Sequence, residues 1–329
     1  MSSTSTNYIA YRPPGSSKVQ RYFATEIAER EEADFCIRSF TGEPAWFKKT
    51  TETGIAKPLD LFHSGQPPQT AVNENVYKKQ VDEISTAIRS SKLNKVVLSR
   101  VKTLNFKLNL QTYFDALCKA YPHAFVCLTQ TQYGTWIGAS PEVLLKQHED
   151  GTLSTYSLAG TRWKTNDTQT SWTEKEKEEQ AWVSREIQEA FDSNSITYKE
   201  SPVETIETGN LLHLKSTFQS QKPVTDASFW TLAKALHPTP AVAGSPRKMA
   251  IEKITSVEAH SRQLYTGFWG PIGDQHKQLF VNLRCMQVFK DKLFIYVGGG
   301  ITYDSDPQRE WEETEQKAKN LIQPLYANS

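Results

Sequence analysis

The chain has 329 residues, 38% of them hydrophobic and 11% aromatic, so it can bury a sizeable core and is not disordered throughout. Lys and Arg total 38 against 37 Asp and Glu, a net charge of +1, which lacks the basic excess of a nucleic-acid footprint. Four scattered cysteines (Cys36, Cys118, Cys127, Cys285) with no CxxC pair argue against a disulfide framework or zinc site and for a reducing cytoplasm; the N-terminus lacks a signal peptide's apolar stretch, and no run approaches the ~18 apolar residues of a membrane span.

Residues 1–19 are polar and rich in Ser, Pro and Gly, and read as a loosely held arm ahead of one large domain over 20–329. Residues 20–70 mix short apolar runs with turn signals at 41–44 and 63–69, which predicts strands. Tyr77, Val81, Ile84 and Ile88 recur at helical spacing and predict a helix over 74–91. It feeds the β-branched run Lys95-Val96-Val97-Leu98-Ser99-Arg100, a buried strand. A helix near 110–121 precedes a strand at 124–129, then two short strands flank a turn at Ser140-Pro141. A helix follows the charged stretch 173–179, with Trp182, Ile187 and Ala190 on its buried side. The last third predicts helices at 226–236, 247–263 and 306–322, a Pro/Gly segment at 237–246, and strands at 265–270, 279–288 and 292–297. Strands bounded by turns with interspersed helices make this an α+β domain on mostly antiparallel sheets.

Four features carry chemistry by residue type: Lys95 heading an apolar strand, Glu142 after a Ser-Pro turn, and two acidic helices holding Glu174, Glu176, Glu178, Glu179 and Glu310, Glu312, Glu313, Glu315 with Lys317. Between them Gly298-Gly299-Gly300 leads to Ser305-Asp306-Pro307. Singly, each has an ordinary reading: a snorkelling lysine, a solvated glutamate, charged helix faces and a glycine turn. The glycines lack both the P-loop lysine and GxGxxG spacing, so they do not read as a nucleotide cradle.

Together and in this order, the segments resemble the chorismate-utilising enzymes. The matching stretches are NKVVLSR (94–100), IGASPEVLL (137–145), SLAGTR (157–162), EKEKEEQAWV (174–183), LLHLKS (211–216), LHPTPAVAGSPR (236–247), YTGFWG (265–270), VNLRC (281–285) and YVGGGITYDSDPQREWEETEQKA (296–318). The resemblance covers about 75–329 and is closest to the isochorismate synthases. It implies one α+β domain of two antiparallel sheets packed face to face, with outer helices and the active site between the sheets.

Family members share a substrate and differ in nucleophile. Aminodeoxychorismate synthases carry an attacking lysine in a PIKGT-like motif; here that position is Ala159, leaving water or ammonia. Lys95 matches the general base of water-using members, and its apolar neighbours would lower its pKa toward working pH. The segment 237–241 with Ala241 resembles the isochorismate synthase form, whereas salicylate synthases tend to carry a bulkier or hydroxylated residue there. The resemblance further implies Glu142 as general acid, and Glu179 and Glu313 as Mg²⁺ ligands with Glu310 in support. Arg284, Gly298, Gly299 and Lys317 would meet the substrate carboxylates, and His213 is either a pocket wall or a core histidine. Gln180 stands where many relatives have histidine, and Glu174, Glu176, Glu178, Glu312 and Glu315 read as solvated. The expected partner is chorismate, with no nucleic acid, membrane or glutaminase subunit. Salicylate synthase, an anthranilate-synthase-like subunit and a non-catalytic chorismate-binding module are the alternatives. Menaquinone, siderophore and salicylate routes all start from the expected product, and the sequence does not choose among them.

Overall fold

The computed structural model describes residues 6–50, 57–59, 68, 72–163, 172–208, 211–273 and 276–326; the expected turn at 63–69, residue 68 apart, and the first five residues lie outside them. In chain order the first half holds β1 (Asn7–Arg12), β2 (Gln20–Ile27), β3 (Phe35–Arg38), β4 (Pro44–Lys49), α1 (Glu74–Arg89), β5 (Lys95–Asn105), α2 (Leu110–Ala120), β6 (Phe125–Thr131), β7 (Gly134–Ser140), β8 (Val143–Gln147) and β9 (Leu153–Trp163). The second holds α3 (Glu174–Ser193), β10 (Tyr198–Glu200), β11 (Glu204–Thr208), β12 (Leu211–Ser220), α4 (Asp226–Leu236), β13 (Gly244–Ser245), α5 (Arg247–Val257), β14 (Phe268–Pro271), β15 (Gln278–Val281), β16 (Cys285–Val288), β17 (Lys292–Ile301) and α6 (Pro307–Ile322).

The strands form one continuous antiparallel ladder with two halves. The first runs β13–β5–β17–β16–β7–β6–β1–β2. The second continues from β2 through β4–β3–β14–β15–β8–β9–β12, with β10 and β11 on the far edge of β12. The halves face each other: Phe125 of β6 stacks on Phe280 of β15 at 4.1 Å, and Tyr11 of β1 meets Phe35 of β3 at 5.6 Å. Period-two alternation sorts side chains between layers. In β17, Phe294 and Tyr296 point between the sheets, while Leu293, Ile295 and Val297 join Phe114, Leu117, Ala318 and Leu321 under α2 and α6. On the second half, Leu153, Ala159 and Phe218 pack beneath α3 and α4.

The α+β class and the packed antiparallel layers agree with the sequence reading. The arm does not: Asn7–Arg12 is a buried strand paired with both β2 and β6, because alternate apolar residues (Tyr8, Ala10 outward; Ile9 inward) outweigh the polar flank. The helix expected to reach 263 stops at Val257, and the strand expected over 279–288 breaks at Asn282–Arg284, where Arg284 takes φ +47°. Strands β9 and β12 were not legible as such.

The early end of α5 has a physical cause. Glu258 turns inward, accepts the Ser99 backbone N–H at 2.7 Å, and pairs with Arg262. Arg262 is 3% exposed and also donates to the carbonyls of Val242 (2.8 Å) and Val97 (2.5 Å). One buried ion pair thus fastens the 237–243 segment to β5. Arg262→Ala would strand Glu258 without its cation, and should cost roughly 3–5 kcal/mol of stability in urea unfolding. A loss under about 1 kcal/mol would show that water replaces the guanidinium there.

Candidate active site

Lys95 opens β5 opposite Ser245 of β13 and is 8% exposed. Odd-numbered β5 residues face inward, as Val101 does among the inter-sheet aromatics, whereas Val96 and Leu98 face α1 and α5. The Lys95 ammonium donates to the Glu179 carboxylate of α3. Its stem crosses β17 at Gly300, where a Cβ would fall 2.6 Å from Lys95 Cε. A side chain here would push the Lys95 stem from its present path.

Glu142 sits just beyond β7, on a turn pinned by Ser140, whose hydroxyl donates to the Val281 carbonyl at 2.5 Å and accepts the Glu142 N–H at 3.3 Å. The Glu142 carbonyl in turn accepts the Val281 N–H at 3.0 Å. Burial raises the Glu142 carboxyl to about 7, against smaller opposing pulls from the Thr239 hydroxyl at 3.4 Å and the Lys95 charge. A carboxylic acid half-protonated near neutrality can donate a proton at working pH. Thr239, Ala241 and Glu142 line one small cavity.

The third wall is α6, capped by Asp306, which accepts the Arg309 N–H at 2.8 Å, with Pro307 in its first turn. Arg100, on the outward face of β5, docks this helix: it donates to Thr314 at 2.8 Å, pairs with Glu315 at 2.5 Å, and stacks over Trp311 at 3.9 Å. Docking turns Glu310, Glu313 and Lys317 toward the β17 glycines. Lys317 donates to the Gly298 carbonyl at 2.8 Å and pairs with Glu313 at 2.6 Å. Glu310 accepts from Ser305 at 2.7 Å. A Cβ on Gly299 would stand 2.8 Å from one Glu310 oxygen and 4.0 Å from a Glu313 oxygen. Beyond Tyr296, β17 loses β16 as a partner while keeping β5, so this stretch borders the cleft.

His213 of β12 closes the circle. Its pKa is lowered, first by burial, then by the Arg284 and Lys317 charges, with Glu179 pulling the other way. The half-buried imidazole therefore lies within electrostatic reach of all three. Arg284 is itself pushed below its ordinary value by burial, and its φ of +47° marks a strained position of the kind that functional sites hold.

Direct contacts join Lys95 to Glu179 and Lys317 to Glu313 and Gly298, Glu310 and Glu313 approach Gly299, Glu142 shares a cavity with Ala241, and His213 and Arg284 are tied to these groups through their charges. The acidic residues converge less fully: Glu310 and Glu313 meet at Gly299, while Glu179 lies with Lys95, and no group of three His, Cys, Asp or Glu stands ready for a metal among the described residues. Glu315 is not a solvated glutamate, since it holds Arg100 and Lys102, each at 2.5 Å. Glu176 closes the first turn of α3 by accepting the Thr173 N–H at 2.9 Å. Two residues escaped the sequence reading. Thr239 was quoted in a motif without a role. Gln180 was noted only as a departure, yet its buried amide donates to Ser157 (2.9 Å), Ser184 (3.0 Å) and Ser216 (3.2 Å), locking α3 to β9 and β12 beside Glu179. Its place on the Gln180, Val183, Ser184, Ile187 stripe was the available signal.

The raised carboxyl of Glu142 has a consequence for stability. Between its ordinary value of 4.5 and about 7, the folded state keeps a proton that the unfolded chain has released. Stability therefore falls as pH rises through that window, and the whole cost is present above it. Glu142→Gln keeps the shape without the charge, so it should be more stable than the unsubstituted protein at pH 8 by on the order of 3 kcal/mol. The difference should vanish near pH 4 when urea unfolding is followed across the range.

The family model for the chorismate binding enzymes matches residues 22–323. The chain is 29% identical over 326 residues to the vibriobactin-specific isochorismate synthase of Vibrio cholerae, covering 91% of this chain and 82% of that one. It is 29% identical over 298 residues to isochorismate synthase DhbC of Bacillus subtilis, covering 82% and 74%. Among solved structures, MenF, the menaquinone-specific isochorismate synthase from Escherichia coli, superimposes with a TM-score of 0.79 at 20% identity over 98% of this chain and 90% of that one, a likeness of fold. With a match spanning nearly its whole length and the cleft just described, the chain belongs to the chorismate binding enzyme family.

Proposed function

We propose that the chain is an isochorismate synthase, which adds water at C2 of chorismate, shifts the ring double bonds and expels the C4 hydroxyl. The observation that carries this reading is the pairing of a buried acid with a buried amine on one cleft: the Glu142 carboxyl at about 7, and Lys95 close enough for its charge to act on that carboxyl. Hydroxide is a poor leaving group and needs a proton, which Glu142 supplies. Water is a weak nucleophile and needs a base, which is Lys95 once its amine is neutral. The Glu179 carboxylate holds the Lys95 amine, so that contact must be released before the amine can reach the attacking water. Ala159 offers no nucleophile of its own, and the small Ala241 adds no polar contact to the enolpyruvyl chain.

Chorismate is a dianion, and the cleft answers with Arg284, Lys317 and the backbone at Gly298 and Gly299. The guanidinium can grip a carboxylate with two parallel bonds, while the Lys317 ammonium acts as a point charge. His213, its pKa lowered, stays a neutral hydrogen-bonding wall. The carboxylates of Glu179, Glu310 and Glu313 are an all-oxygen donor set of the kind Mg²⁺ prefers, and two of them lean over Gly299, where any side chain would fill the space. These three would hold the ion, whose positive charge, when bound, offsets the ring carboxylate.

The test is incubation with chorismate and Mg²⁺, with and without ammonium, followed by chromatography and a lactate-dehydrogenase-coupled pyruvate assay. Isochorismate should be the main product in a reversible reaction, with little pyruvate and no aminated product. Pyruvate rising in step with chorismate loss would make the enzyme a salicylate synthase, and ammonium-dependent product an anthranilate-type one. No turnover at all would leave a binding module.

The metal reading has its own check. Chelation should abolish turnover and Mg²⁺ restore it. Glu179→Gln and Glu313→Gln should each shift the Mg²⁺ titration upward by tenfold or more, about the loss expected when a charged ligand becomes neutral. Full activity in excess EDTA would contradict the assignment.

A further inference from the structure

Addition of water and loss of hydroxide leave the two catalytic groups in the wrong states for another round. Lys95 ends with one proton too many and Glu142 with one too few. Lys95 faces the substrate cleft, and Glu142, partly buried, also lines a cavity of about 20 Å³ together with Thr239, Tyr156, Glu186 and Arg247. That is room for about one water, with the two to four polar partners a buried water requires. Glu186 and Arg247 also line a second, open cleft of about 550 Å³, together with Asn94, Arg185 and Glu189. One residue, Glu186, therefore lines both the water-sized cavity at the acid and the open recess on the far side of α3.

Glu186 is suited to that position. Its side chain is 16% exposed and held by the Arg247 guanidinium at 3.0 and 3.3 Å, and Arg247 is anchored in turn on the Ala235 carbonyl at 2.5 Å. Burial raises its pKa, Arg247 and a hydrogen bond from Ser245 oppose the rise, and the Glu189 charge adds to it. A glutamate needed only for the ion pair has no reason to border the cavity at the catalytic acid.

We propose that Glu186 is a proton relay, which takes a proton from solvent at the open cleft and hands it, through one water in the enclosed cavity, to the spent Glu142 carboxylate. The proposal rests on the isochorismate synthase reading. The proton count closes: water gives one proton to Lys95, Glu142 gives one to the departing hydroxide, Lys95 returns its proton to solvent through the substrate cleft, and Glu142 regains one through Glu186. Each O–H bond broken along the relay is replaced by one formed on the next oxygen, and no electrons are exchanged. Glu186 touches no reacting atom and acts between turnovers.

The test compares the unsubstituted enzyme with Glu186→Gln and Glu186→Asp, by rapid quench for the first turnover and by steady-state isochorismate formation in dilute buffer, with imidazole titrated in. Glu186→Gln should keep the first turnover and lose about tenfold or more in steady state, the low end of what a lost proton-transfer group costs. Imidazole should restore much of that loss and leave the unsubstituted enzyme unaffected. Glu186→Asp, which retains an acid, should stay within about threefold of the unsubstituted rate. Val183→Leu, which fills the cavity while leaving the Glu186 carboxylate and its Arg247 partner in place, should reproduce the steady-state loss and serves if Glu186→Gln does not fold. Unimpaired steady-state turnover of the Gln variant would overturn the relay. So would equal loss of first and later turnovers with no response to imidazole, which is the mark of a structural ion pair. If the unsubstituted enzyme makes no isochorismate, the functional reading fails first, whatever the variants do.

Discussion

The pairing of β5 with β17, unbroken from Lys292 opposite Asn105 to Ile301 opposite Val96, is the constraint on which the rest of the site depends. It fixes which face of β5 is inside. Inward go Lys95, Val97, Ser99 and Val101; outward go Val96 and Leu98 to α1 and α5, and Arg100 to α6. A slip of one residue would invert both sets, putting Arg100 among the inter-sheet aromatics and Lys95 under a helix. The same pairing brings Gly300 beneath the Lys95 stem and carries β17 past the end of β16, so that its glycines border the cleft. The placing of Lys95, of the glycines and of the docking residue for the acidic helix thus follows from one register.

Charges in the cleft are handled in two opposite ways. Lys95 and Lys317 are each paired with a carboxylate, on Glu179 and Glu313, and Glu310 is satisfied by Ser305. Removing Glu179 would leave the shielded Lys95 ammonium desolvated and alone, whereas the Lys317–Glu313 pair is about half exposed and water can replace either member. Glu142 is the exception. It has a hydroxyl beside it and no cation in contact, so burial prevails and the carboxyl keeps its proton near neutrality. Two groups of unlike environment, a paired amine and an isolated acid, are what set acid and base roles apart in a single cleft.

The sequence made most of this legible where the signal was local. The Tyr77–Ile88 stripe, the apolar run after Lys95 and the capped start of α6 each announce their element within a dozen residues, and the motif order gave the family. What it did not show depends on tertiary partners. Asn7–Arg12 is too short and too polar on its flanks to read as a strand until β2 and β6 take its backbone groups. The helix after Arg247 has good local pattern through 263, and only the burial of Glu258 against Arg262 and Ser99 ends it. Glu315 reads as solvated because Arg100 and Lys102 lie more than two hundred residues away along the chain.

The pairing of β9 with β12 shows how one strand pair serves both core and cleft. His213 lies opposite Thr161 and Leu214 opposite Ala159, so Gly160 is skipped, with φ of +70°. An extra residue shifts the alternation of the strand that carries it. Before the bulge, Ser157 and Ala159 face α3, where Ala159 joins the apolar cluster and Ser157 meets Gln180 and Ser184. At the bulge a Cβ would fall 2.9 Å from the Glu176 carbonyl, so α3 approaches this closely only over a glycine. That approach lets the Gln180 amide reach three serine hydroxyls on two strands and its own helix, fixing the roll of α3. Glu179, one residue earlier, is turned by the same roll toward Lys95. The carboxylate that meets Lys95 is therefore aimed by a backbone irregularity at Gly160 and by the buried Gln180 amide.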